Sequence, residues 1–242
     1  MISVCMATYN GEKYIYEQVE SILEQLGPND ELVISDDLSN DNTINILKNI
    51  NDNRIKIYYN YGIHGFVKNF ESALKHANGD YIFLSDQDDI WMSNKVKLTM
   101  EYLTKYDFVV SDCVTINSKG DIISSSRFFD YKVKKGFWHL MIKTRYLGCC
   151  MAFKRNVLEA CLPFPTNTYY LEHDLWIAAV AERYFHTELI KTPLIKYRRH
   201  GNNVSTGGNG KGYSFKVKLL RRLYRLKCIN SIKNKVKKIK GV

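Results

Sequence analysis

Asp86, Asp88 and Asp89 fall inside one short stretch, DYIFLSDQDDIW (80–91), directly after the apolar run Tyr81-Ile82-Phe83-Leu84. That run reads as a buried strand, so three carboxylates crowd its end, with Trp91 as an aromatic plug behind them. Like charges this close repel one another in a low dielectric, and water or a cation must neutralise them. A hard divalent ion with oxygen ligands, Mg2+ or Mn2+, answers that requirement. The plainer alternative is a solvated acidic turn that caps a helix starting near residue 93.

Two other apolar runs end in polar clusters. The run 2–7 leads into Thr8-Tyr9-Asn10, and ELVIS (31–35) leads into Asp36-Asp37. In parallel α/β sheets ligands bind beyond the carboxyl ends of the strands, so three polar ends on one edge make a site where a single one would not. The Tyr9 ring suits stacking on a base, and Asp37 is an acceptor for the base N–H. Asp86 suits a ribose hydroxyl, and a metal at Asp88 would bridge a diphosphate. Farther along, Leu171-Glu172-His173-Asp174 opens an apolar helix. By pattern alone Asp174 is a first-turn residue stabilised by the helix dipole. Arg198-Arg199-His200 reads as a loop; beside a diphosphate and cation, His200 could ligate metal and Arg198 or Arg199 could pair with phosphate.

These residues need a scaffold, and the hydrophobic periods supply one. Strands over 2–7, 31–35, 54–59 and 81–84 alternate with helices over about 12–25, 41–50 and 66–77, which predicts a mostly parallel sheet flanked by helices. A helix over 93–105, a strand over 108–111 and a hairpin-like turn at 117–121 follow. The second half reads as less regular: 125–136 is polar and irregular, 149–153 a strand, 155–161 a short helix stopped by Pro163, and 194–198 a strand after Pro193.

The 242-residue chain carries a formal net charge of +10, but from Lys211 onward there are twelve Lys or Arg and no Asp or Glu. The remainder holds 23 basic against 25 acidic residues, which does not resemble a uniformly basic nucleic-acid binder. Within 215–242, Leu219, Leu223, Leu226, Ile229, Ile232, Val236 and Ile239 recur at three and four, an amphipathic basic helix. The expectation is contact with the anionic inner-membrane surface; the rival is packing on the body or on a second copy as a homodimer. No apolar run is long enough to span a bilayer and no leader precedes the first strand, so a cytoplasmic protein, peripheral on the membrane, is expected. The six cysteines lack metal-ligand spacing and are expected to be reduced and buried. GxGxxG and the P-loop motif are missing, and TGGNGKG (206–212) reads as a linker.

With these segments in place, the chain resembles a family 2 glycosyltransferase of the GT-A fold, and within it bacterial rhamnosyltransferase-like members that build surface polysaccharide. The resemblance rests on SVCMATYNGEKYIYEQVESIL, LVISDDLSNDNT, GFVKNF, GDYIFLSDQDDIW, GCCMAFKRNVLEACLPFP, EHDLWIAAVA and LIKYRRHGNNVS, in family order from residue 3 to about 205. It implies a GT-A domain over 1–205, with a nucleotide-sugar half (1–112) and an acceptor half (113–205), then a linker (206–214) and the tail (215–242). It also implies that Ala7, Tyr9 and Asp37 hold the base, that Asp86 and Asp88 form the DxD element, that Asp174 is the general base, that Asn69 lies near the nucleotide, and that His200 is a metal or phosphate contact. The expected reaction is metal-dependent, inverting transfer from a UDP- or dTDP-linked sugar to a glycan or lipid-linked hydroxyl. ATYN stands where many members have PTYN, and HDLW where rhamnosyl-type members have HDWW. A nucleotidyltransferase and a non-catalytic nucleotide- or nucleic-acid-binding protein are the other classes that such a sheet edge admits.

Overall fold

A computed structural model describes residues 1–143, 145–201 and 214–241. The first half alternates as the hydrophobic periods predict: β1 (Ile2–Thr8), α1 (Ile15–Leu23), β2 (Glu31–Asp36), α2 (Thr43–Asn49), β3 (Ile55–Tyr59), α3 (Phe66–His76) and β4 (Tyr81–Ser85). There follow β5 (Ile90–Trp91), α4 (Lys95–Leu103), β6 (Phe108–Ile116), β7 (Ile122–Ser124), α5 (Arg127–Tyr131) and α6 (Phe137–Ile142). A 3₁₀ turn at Gly148–Cys150 leads into β8 (Met151–Lys154), α7 (Arg155–Cys161), α8 (His173–Tyr184), β9 (Thr187–Arg198), α9 (Phe215–Ser231) and α10 (Lys233–Lys240).

The strands form one sheet in the order β3-β2-β1-β4-β8-β6-β9-β5, with β7 paired to β6. β1 runs parallel to β2 and β4, and all six residues of β2 are buried, as expected of a strand covered on both faces. The register pairs Thr8 with Asp36 and Met6 with Ser85. The segments that follow β1, β2 and β4 therefore leave the sheet at one edge, which is why polar residues far apart in sequence meet. β8 inserts antiparallel between β4 and β6. β5 pairs antiparallel with the end of β9, Ile90 opposite Lys196, and so brings 198–200 against 86–89.

Several elements exceed the sequence expectation. β9 begins at Thr187 rather than after Pro193, because Pro193 sits opposite Asp112 where the β6–β9 register shifts, a place where a strand tolerates a missing N–H. The stretch read as irregular holds α5, capped by Ser126, whose hydroxyl accepts from the Phe129 N–H. All six cysteines are free and only Cys228 is not buried.

The tail differs most. It is two helices meeting at Ile232 rather than one, and it lies on the body: Ile229 and Val236 are buried, while Leu226, Ile232 and Ile239 are partly buried against the same core. Tyr184 donates from its hydroxyl to the Ile229 carbonyl, and Lys235 donates to the Leu162 carbonyl. These are the positions a coiled-coil seam with a second copy would use, so packing on the body takes the place of that seam. Phe215, Leu219, Leu220 and Leu223 stay exposed. Of the expected linker only Ser214 is described, as the N-cap of α9; the remainder lies outside the described residues. Among the described residues no helix is long and apolar enough to cross a membrane.

The start of β1 depends on a close approach at Gly79. A Cβ there would lie 2.7 Å from the Ser3 nitrogen and 2.8 Å from the Met1 carbonyl oxygen, both backbone atoms that cannot swing aside. Gly79→Ala is expected to lower stability by about 1–3 kcal/mol in chemical denaturation; an unchanged midpoint would show that the sheet edge yields there.

Candidate active site

The end of β1 is fixed first. Thr8, fully buried, donates its hydroxyl to Asp36 at 2.7 Å, and Asp36 also accepts from the Ser39 hydroxyl and N–H. Asn10 sits at φ 49°, a left-handed conformation that Asn tolerates, with its N–H on the Ser39 hydroxyl. Tyr9 is clamped by its backbone: its N–H donates to Gln87 Oε1 at 2.9 Å and its carbonyl accepts from Gln87 Nε2 at 3.1 Å, leaving the ring exposed. Gln87, the residue between the two acidic positions 86 and 88, thus ties the β1 turn to the β4 turn. Ala7 precedes them on β1, partly buried.

Asp37 is nearly covered and accepts three hydrogen bonds, from Asn60 Nδ2 (2.8 Å), the Gly65 N–H (2.7 Å) and His64 Nδ1 (3.0 Å). It therefore organises the 60–65 loop, and a base N–H would be a further donor to the same carboxylate. Asn69 is buried and its amide donates to the Thr8 carbonyl at 3.0 Å, with Oδ1 unpartnered. Its visible work is to strap α3 to the end of β1.

The acidic turn is held by residues from β9. Arg198 is buried and donates its backbone N–H to Asp89 Oδ1, its Nε to the Asp88 carbonyl, and its Nη2 to Glu17 at 2.6 Å, while its guanidinium lies over the Tyr14 ring at 4.7 Å. Arg198 is thus built into the scaffold. His200 stacks on Tyr14 and sets Nε2 2.7 Å from Asp88 Oδ2, so the predicted pair Asp88 and His200 does meet. Arg199 follows Arg198 with its N–H on the Ile116 carbonyl.

Burial and the charges of Asp88 and Asp174 push the Asp86 carboxyl up to about 7, although the Cys149 thiol donates to it. Burial with Asp88 and Asp86 raises Asp89 as well, and Asp89 Oδ2 is buried without a hydrogen-bond partner. Asp86, Asp89 and Cys149 each offer a ligand atom within 4.8 Å of the others. The carboxylates suit a hard divalent cation, and the orphaned Asp89 oxygen together with the mutual repulsion makes a cation fit; a thiol is the soft member of the set. Lys95, wholly buried beneath Trp91 at 4.8 Å, is the nearby cation, and burial lowers its pKa. Asp89 was legible in sequence as the third of the crowded carboxylates; Cys149 and Lys95 carried no distinct signal there.

Asp174 opens α8, partly buried and close under the 3₁₀ turn: a Cβ on Gly148 would lie 3.4 Å from Asp174 Cβ and 3.0 Å from His173 Nε2. Loss of water raises the Asp174 carboxyl to about 6, against hydrogen bonds from the Leu175 N–H and its own, and against the positive charges of Arg225 and Arg127. Its charge acts in turn on Asp86, so the helix head and the acidic turn face one site. His173 is buried, stacked on Phe70 at 4.1 Å, with both ring nitrogens unpartnered; burial lowers its pKa to about 3, so it stays neutral. The tail reaches the same helix head. Arg221 donates to the Tyr169 carbonyl and to Glu172, and Arg225 is buried behind it.

A half-parallel sheet with its carboxylates gathered beyond the strand ends, and a raised carboxyl facing them, has the arrangement with which α/β enzymes bind ligands at that edge. The chain belongs to the Glycosyl transferase family 2, which it matches over residues 3–162, and is a glycosyltransferase. It is 32% identical over 241 residues to the dTDP-rhamnosyl transferase RfbG of Shigella flexneri, covering 89% of this chain and 77% of that one. It is 27% identical over 211 residues to the UDP-Glc:alpha-D-GlcNAc-diphosphoundecaprenol beta-1,3-glucosyltransferase WfgD of Escherichia coli, covering 85% and 80%. The fold matches the S. aureus TarS 1-349 structure in complex with UDP-GlcNAc at a TM-score of 0.69 and 19% identity, covering 96% of this chain and 66% of that chain. It also matches the mannosyltransferase PcManGT from Pyrobaculum calidifontis in complex with GDP-Man and Mn2+, at 0.59 and 19%, covering 98% and 73%. The expected GT-A architecture is therefore the one found.

In a carbon-detected NMR titration of the metal-free protein, the Asp174 carboxyl is expected to ionise near about 6. Arg225→Gln should move that midpoint upward, because a positive charge that favours the carboxylate is removed. A midpoint near 4 in both proteins would contradict the assignment of burial as the dominant cause.

Proposed function

We propose that the chain transfers a sugar from a nucleoside diphosphate donor, UDP- or dTDP-linked, to a hydroxyl of a growing surface glycan or lipid-linked acceptor, with inversion at the anomeric carbon. Rhamnose and glucose are the sugars that the names of its relatives bring forward. The observation that carries the reading is the closeness of the acidic turn 86–89 to Asp174: the turn Gly148–Cys150 lies against Asp174 at Gly148 and against Asp86 and Asp89 at Cys149, and the charge of Asp174 helps raise Asp86. Tyr9 offers its exposed ring to the base and Asp37 an acceptor, Asp86 takes the ribose, and the turn after β4 takes the diphosphate. Thr8, Asn10, Asn69 and Gln87 hold these groups in place. Arg199 would pair with phosphate.

Asp88 with His200, and Asp89 beside them, would hold Mg2+ or Mn2+; when bound, the ion supplies charge stabilisation for the departing diphosphate. Asp174 takes the proton from the acceptor hydroxyl, which attacks from the face opposite the diphosphate. A carboxyl raised to about 6 is a better base than an ordinary one and is still ionised at neutral pH. His173, kept neutral by burial, walls the site beside the base without adding charge.

The tail has a second reading. Its packed face belongs to the body, but Phe215, Leu219, Leu220 and Leu223 project from the first turns of α9 among Lys216, Lys218 and Arg222. An exposed apolar stripe ringed by basic residues suits the anionic cytoplasmic face of a membrane, where a lipid-linked acceptor would lie.

Release of nucleoside diphosphate from UDP- and dTDP-sugars in the presence of Mn2+ and an acceptor extract tests the reaction. Asp174→Asn is expected to lower turnover by about two to four orders of magnitude while donor binding stays, whereas Asp88→Ala loses both. Turnover should fall tenfold per pH unit as pH drops through about 6, because the base works deprotonated. A pyrophosphate product would turn the reading to a nucleotidyltransferase. For the membrane, flotation of the full chain with vesicles rich in anionic lipid should be lost in a Phe215→Ser, Leu219→Ser variant whose melting temperature is unchanged; equal flotation would refute the contact.

A further inference from the structure

Among the described residues, two buried arginines whose charges act on Asp174 are short of hydrogen-bond partners. Arg127, in the first turn of α5, and Arg225, in α9, are 8% and 5% exposed. The Nε atom of each is buried without a hydrogen-bond partner. Arg225 reaches only the Met141 sulfur, at 3.9 Å, and Arg127 packs its guanidinium over the Tyr131 ring at 4.3 Å. Among the described residues neither makes an ion pair, while the neighbouring Arg221 pairs with Glu172 at 3.0 Å. Burial lowers Arg225 to about 10, a sign of how poorly its charge is met. A buried guanidinium is stable only when an anion or several acceptors face it.

Neither residue is there by accident of a flexible side chain. Asp112, buried in β6, accepts from the Ser126 hydroxyl at 2.5 Å and from the Phe128 N–H at 2.9 Å, which pins the start of α5 to the sheet. Arg225 stands one turn before Ile229, buried against the body, and one turn after Arg221, which is tied to the loop before α8. Two separate elements thus deliver two cations to the base, on the half of the chain that does not carry the nucleotide residues.

We propose that Arg127 and Arg225 form an anion subsite for the acceptor, and that the acceptor carries a phosphoryl group close to the hydroxyl it presents to Asp174. Two guanidinium groups supplied by separate elements suit a phosphoryl, with several oxygens and more than one negative charge, better than a planar, singly charged carboxylate. Either a prenyl diphosphate or a polyol phosphate supplies that chemistry. The proposal rests on the transferase reading above for its assignment to the acceptor, but the subsite can be measured without donor or metal.

The test is calorimetry of the full chain in EDTA with three probes: farnesyl diphosphate, sn-glycerol 3-phosphate and uncharged N-acetylglucosamine. At least one phosphoryl probe should bind, N-acetylglucosamine should not, and Arg127→Gln and Arg225→Gln should each weaken the bound probe about tenfold or more. Preference for farnesyl diphosphate names a lipid-linked acceptor, and preference for glycerol phosphate a polyol phosphate chain. Retained Mn2+-dependent UDP binding shows that the variants are folded; should a Gln variant fail it, Arg127→Lys and Arg225→Lys keep the charge and should bind with intermediate affinity. Equal binding by wild type and folded variants, or no phosphoryl binding at all, overturns the proposal. So does displacement of the probe by UDP with Mn2+, which would return the arginines to the donor. Absence of UDP binding in the wild type, with the EDTA results intact, would instead overturn the donor reading alone.

Discussion

Everything at the sheet edge follows from the repulsion among Asp86, Asp88 and Asp89. Three carboxylates after one strand, one with a buried oxygen that nothing in the described chain satisfies, are tolerated because β9 brings Arg198 and His200 against them. Arg198 does not neutralise a carboxylate of this turn through its guanidinium; it binds the Asp88 carbonyl and draws its ion pair from Glu17 in α1. The backbone is therefore fixed while the acidic side chains keep their charge conflict. A turn held rigid, with one Asp89 oxygen unpartnered among the described residues and Asp86 raised by its neighbours, suits a cation.

The tail packs against the head of α8, where Asp174 lies. α9 sets Arg221 on Glu172 and buries Arg225 near Asp174, so its register influences the ionisation of the base. Its apolar face is divided along its length: the second half of the tail covers α7 and α8, and the first turns stay open.

The alternation of strand and helix through β4 and the three polar strand ends were legible because both depend on local patterns: hydrophobic period and the residue types that end a strand. His200 was legible only as a candidate metal or phosphate contact; that it meets Asp88 depends on the pairing of β5 with β9, which no local pattern shows. Cys149, Lys95, Arg127 and Arg225 were not legible, since each acquires its meaning from burial against a segment distant in sequence. Arg198 and Arg199 are adjacent and chemically identical in sequence, and only the strand's alternation assigns the first to the scaffold. The tail's amphipathic spacing was read correctly as a pattern, but a pattern does not say what covers it; Ile229 and Val236 face the body while Phe215 faces out.

On the proposed function, the acidic turn after β4 works by binding a divalent cation together with a nucleoside diphosphate. A titration of Mn2+ followed by electron paramagnetic resonance, in the presence of UDP and separately of dTDP, tests it most directly. The account predicts one Mn2+ bound per chain with at least one of these nucleotides and none in Asp88→Ala. Mn2+ binding that is unchanged in Asp88→Ala, or a nucleotide that binds equally well in EDTA, would contradict it.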